Sequence, residues 1–89
     1  MKNLPKHVQA YKKTPEFSED SIPKSLLKDH STKPGVWGKI QLIEGSLIYV
    51  INQQEHHVLT QNSEGIIEPE ISHHLKCKGP VRFFVEFYR

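Results

Sequence analysis

Six histidines lie in this 89-residue chain, and two of them, His30 and His73, stand apart by their setting. Each sits beside a turn and at the start of an apolar, strand-like segment: His30 ahead of Lys33-Pro34-Gly35, His73 behind Glu68-Pro69-Glu70. A neutral imidazole nitrogen is a good ligand for zinc, iron, nickel or copper, and two histidines on neighbouring strands can converge although far apart in sequence. The competing reading is a pair of satisfied core or rim histidines. No local His-x-His or His-x-x-x-His cluster exists, so any metal site must be assembled from separate segments.

Strand parity sorts the remaining candidates. His73, Leu75 and Cys77 share one face of their strand, while His74, Lys76 and Lys78 share the other. His73 is therefore expected inside and His74 in solvent. His56 and His57 are adjacent and cannot both face inward; His57, in step with Leu59, is the possible extra ligand. Glu86 is the one acid in the apolar, aromatic final segment VRFFVEFYR. Buried, it needs a metal or Arg82 as partner; facing solvent, it needs neither. Cys77 lies between lysines, which can lower a thiol's pKa, but a lone inward cysteine is more often a small core residue. P-loop, GxGxxG, GxSxG and CxxC signatures are missing.

The elements that must position these residues are short strands. Trp37 to Ile43 and Leu47 to Ile51, broken at Glu44-Gly45, read as a β-hairpin with His30 near its entrance. The second of these is apolar on both faces, as in a strand covered on both sides. Residues 1–13 form a basic arm that is partly ordered, and residues 14–89 form one domain. Phe17 covers one end of the core from a short edge strand, and Ser21 to Lys28 makes either a strand or one helical turn beginning at Pro23. Further strands at His56 to Thr60, around His73 and at Val81 to Tyr88 bring the count to seven or eight, the pattern of a sandwich or barrel. Closure into a barrel would remove exposed edges.

Composition narrows the function classes. Twelve basic and ten acidic residues give a net charge of +2, with lysines scattered rather than striped, so no nucleic acid is called for. No run reaches the length of a membrane-spanning helix, and residues 1–11 lack the apolar core of a signal peptide. A single cysteine fits a reducing compartment, hence a cytoplasmic protein. A small core and apolar residues on both sides of two strands favour a homodimer.

The residues HSTKPGVWGKIQLIEGSLIY, then EPEISHH, then RFFVEFYR resemble the tellurite-resistance TehB/YeaR-like small cupins, over nearly the whole chain from about Thr14 to Arg89. The resemblance implies an all-β cupin-like barrel, a double-stranded β-helix or jelly roll, with a metal pocket. It implies His30 as the histidine of the first cupin motif, His73 as that of the second, and Glu86 as an acid of the last strand. Thr32 stands where cupins usually carry a second histidine, and no glutamate occupies the place that the motif's fixed spacing gives it ahead of the glycine matched by Gly45. Some members of the family fuse the cupin to a methyltransferase using S-adenosylmethionine, but no glycine-rich methyltransferase motif occurs here. The expected function is thus a small metal-binding protein that binds or senses a small molecule or oxyanion in tellurite resistance or stress. Its ligands are His30, His73, Glu86 and, in reserve, His57, and its cofactor is a divalent ion: zinc first, then iron or nickel. The rivals are a metal-dependent enzyme acting on a small metabolite and a purely structural module.

Overall fold

A computed structural model describes residues 1–89, and its secondary structure is almost entirely antiparallel β. The strands are β1 (Ala10–Lys13), β2 (Phe17–Ser18), β3 (Trp37–Gly45), β4 (Leu47–Ile51), β5 (Glu55–Leu59), β6 (Gly65–Ile67), β7 (His73–Lys76) and β8 (Val81–Tyr88). One 3-10 turn, Lys24–Leu27, follows Pro23, so the helical alternative is the one adopted there. Strand β1 lies within the stretch expected to be an arm and pairs with β8. No helix is long and apolar enough to cross a membrane.

The strands form two sheets, not a closed barrel. The larger runs β1-β8-β3-β6 with β2 also on β8, and the smaller runs β5-β4-β7. The expected hairpin is corrected as well: β3 pairs with β8 and β6, whereas β4 pairs with β5 and β7. Glu44-Gly45 is therefore a corner at which the chain leaves one sheet for the other. The β3 register on β8 slips between Leu42 and Glu44, and Gly45 then takes φ +80°. The sequence signal was real, since a glycine breaks an apolar run in either case. A turn residue alone does not say whether the flanking strands pair with each other or with partners far along the chain.

The inner faces of the two sheets make the core. On β8, Val81, Phe83 and Val85 are buried and Arg82 is exposed, the alternation expected of a strand with one covered face. Leu47 and Tyr49 of β4 oppose them in the same cluster. The Tyr49 hydroxyl is satisfied across the core, donating to the Ile66 carbonyl at 2.9 Å. Burial pushes its pKa well above the ordinary tyrosine value. Phe17 closes one end against Phe83, ring centroids 5.6 Å apart.

A Cβ placed on Gly45 would lie 2.2 Å from the Pro80 carbonyl oxygen, and the backbone there is left-handed. Gly45→Ala should therefore cost about 2–4 kcal/mol, since the clash is with backbone that cannot move aside. Nothing lies within 4 Å of a Cβ on Gly79, so Gly79→Ala should stay within about 0.5 kcal/mol of the parent in urea denaturation.

A candidate ligand pocket at a histidine pair

The loop before β3 meets β7 in an isolated antiparallel bridge. His30 and His73 exchange both backbone hydrogen bonds, His30 N–H to His73 O at 3.0 Å and His73 N–H to His30 O at 2.8 Å. A second tie joins Thr32 to the turn before β7, through Glu70 N–H to the Thr32 carbonyl at 3.0 Å. Glu70 takes φ +65° to make that turn. Direct pairing puts the two imidazoles side by side, with ring centroids 4.2 Å apart and planes at 56°. The edge-on contact of Tyr49 with His73, at 5.7 Å and 81°, completes the support from the core.

Both rings are anchored in the same way. His30 Nδ1 contacts the Lys28 carbonyl at 2.9 Å and His73 Nδ1 the Ile71 carbonyl at 3.0 Å. A carbonyl only accepts, so Nδ1 carries the proton in each, and the lone pair of the neutral ring lies on Nε2. Neither Nε2 has a protein partner, yet no buried side-chain nitrogen is left unpaired, so the Nε2 of His73 reaches open space even though the residue is 2% exposed. A cavity of about 280 Å³ is lined by both histidines together with Phe17, Leu26, Ile40 and Val85, among others.

Of the expected site residues, the structure brings His30 and His73 together and holds Glu86 and His57 elsewhere. Val85 and Phe87 line the cavity, so parity turns Glu86 between them to the opposite face of β8. There its Oε1 accepts from the Tyr88 hydroxyl at 2.6 Å and from Gln41 Nε2 at 3.2 Å. Arg82 is engaged by Glu16 rather than Glu86. His57 contacts Glu55 on β5 and is not part of the lining. No group of three or more His, Cys, Asp or Glu side chains is arranged to hold a metal ion.

One interaction escaped the sequence reading. His74 is not free among lysines: its Nδ1 lies 2.7 Å from Asp29 Oδ1, and Asp29 Oδ2 accepts from Gln53 Nε2 at 2.8 Å. The hydrogen bond from His74, then that from Gln53, holds the Asp29 carboxyl below the usual aspartate range. The antiparallel register supplies the reason, because pairing 30 with 73 places 29 beside 74.

The TehB-like domain family matches residues 12–85, and the chain belongs to that family. A Haemophilus influenzae protein named "Probable S-adenosyl-L-methionine-dependent methyltransferase TehB" is 29% identical over 73 residues, 75% of this chain and 26% of that protein. The chain thus spans about a quarter of that relative's length. The crystal structure of TehB from Haemophilus influenzae superposes with TM-score 0.86 at 24% identity, over 93% of this chain and 32% of that one. A protein from E. coli (strain K12) shares the fold over its whole length: TM-score 0.91 at 17% identity, covering 100% of this chain and 97% of the other.

Burial is the main cause lowering the His73 pKa below 6.5; the hydrogen bond to the Ile71 carbonyl opposes it, repulsion from His30 and His74 adds to it, and Asp29 opposes it weakly. The unfolded chain then binds more protons than the folded one as pH falls through that value, so stability should drop on acidification from about pH 7.5 to about pH 5.5. Urea midpoints across that interval should fall for the parent and change less for His73→Asn, which keeps a donor for the Ile71 carbonyl but does not titrate.

Proposed function

We propose that this chain is a small-ligand-binding β module of the cupin kind, with His30 and His73 as the polar end of its cavity and no turnover of its own. The observation that carries the reading is the pair of anchored imidazoles whose Nε2 atoms have no protein partner, at the edge of a cavity between the sheets. Well-supported rings with unused nitrogens are what a recognition site needs. An enzyme acting on a metabolite would use the same two imidazoles as acid or base, with no carboxylate beside them, and turnover of a bound metabolite would favour that rival. The methyltransferase name belongs to a protein of which this chain spans 26%, and methylation is no part of the proposal.

A divalent metal is the second reading. The chain offers a zinc, iron or nickel ion two imidazoles, short of the three or four protein ligands such sites use, and Glu86 and His57 are engaged elsewhere. These residues therefore fit a resident metal poorly. Elemental analysis after incubation with zinc should give well under one ion per chain. A full equivalent, lost in His30→Ala and His73→Ala but kept in His74→Ala, would reinstate the metal.

The TehB-like family is associated with tellurite resistance, which makes a tellurium oxyanion a natural ligand to try. Neutral imidazoles accept hydrogen bonds, so an acceptor-rich anion binds here only if the pair takes up a proton. Calorimetry should then show tellurite affinity rising as pH falls through the His73 titration, with the rise absent in His73→Asn. Homodimer formation belongs to the same reading: Val58 is 67% exposed beside Ile48 on the outer side of the smaller sheet. Light scattering at high micromolar concentration should give the mass of a dimer, and a monomer mass there would remove that part.

A further inference from the structure

The cavity walls restrict what kind of molecule the histidine pair can receive. Phe17, Leu26, Ile40, Leu75, Val85 and Phe87 present carbon. The hydroxyls of Thr14 and Thr32 are already committed, Thr14 to the Pro15 carbonyl at 2.9 Å and the Val85 N–H at 3.0 Å, and Thr32 to the Val36 carbonyl at 2.7 Å. Ser25 and Ser31 sit on the exposed rim. No lysine, arginine, aspartate or glutamate belongs to the lining. Away from that rim, the lining side-chain nitrogens without a protein partner are the Nε2 atoms of His30 and His73, and in the neutral rings both are acceptors.

From this, and resting on the reading of the cavity as a binding site, we infer that it takes a compact, largely apolar molecule with one hydrogen-bond donor, such as a phenol or small alcohol. The hydroxyl donates to the Nε2 pair of His30 and His73 while the carbon body fills the space between the sheets. An anion of the same size is disfavoured on two counts: its oxygens face lone pairs, and it loses hydration among carbon walls with no cation to replace it. A pure hydrocarbon fits the walls but leaves the nitrogens without the partner that water gave them. At about 280 Å³ the cavity lies at the small end of ligand pockets, the size for a single ring or a short branched chain.

The test uses the full chain and four probes near neutral pH: 4-methylphenol, p-xylene, 4-methylbenzoate and tellurite, followed by amide NMR and calorimetry. We expect saturable shifts at His73, Leu75 and Val85 with 4-methylphenol. p-Xylene, the same shape without the donor, should bind about tenfold more weakly, the worth of one net hydrogen bond. The two anions should leave these signals in place. Equal binding of p-xylene, or tighter binding of 4-methylbenzoate or tellurite, would overturn the donor assignment while leaving the pocket itself standing. Silence from all four probes would sink both. Leu26→Trp, which fills the cavity from its half-buried edge, should abolish the 4-methylphenol shifts. Binding that survives it lies elsewhere and also ends the proposal.

Discussion

The structure hangs on the packing of β8 against β4 across the gap between two sheets. Strand β8 is the common partner of β1, β2 and β3, and its inner residues Val81, Phe83 and Val85 lie in one buried cluster with Leu47 and Tyr49. A chain this short buries a modest fraction of its surface, so one apolar layer must serve the whole domain. The sheets are also linked by a polar contact, Tyr49 to the Ile66 carbonyl, which an isolated buried hydroxyl would otherwise lack at considerable cost.

The pocket is a consequence of that layer ending. Beyond the packed residues, the loop carrying His30 comes alongside β7, and the space left between loop, 3-10 turn and sheets is lined mostly by carbon. Two imidazoles are tolerated there because each ring donates its one proton to a carbonyl two residues earlier. Neutral and half-satisfied, they combine well with an apolar surround. A charged pair in the same place would repel itself and lose hydration together. The Asp29–His74–Gln53 contacts on the other side of the same backbone pairing fasten the histidine loop to β7 and to the turn after β4.

Family membership and shared fold agree with this architecture at two scales. The chain matches part of the longer Haemophilus influenzae protein and nearly all of a short E. coli chain, so the same two-sheet unit occurs both as a portion of a larger protein and over the full length of a small one.

Much was legible in the residues alone. Alternation along Val81 to Tyr88 and His73 to Lys76 determined which side chains face the core, because the two-residue period of a strand follows from backbone geometry whatever its neighbours are. The glycine and proline punctuation marked where strands end, and the resemblance of the histidine segments identified the family. Pairing was decided only in three dimensions. Glu44-Gly45 looked like a hairpin turn, yet β3 found β8 and β4 found β7, since partner choice is settled by long-range burial that no local signal encodes. The same holds for the site. That His30 and His73 lie side by side, that Glu86 and His57 find partners elsewhere, and that Asp29 meets His74 all depend on register between segments distant in sequence, which tertiary packing alone sets.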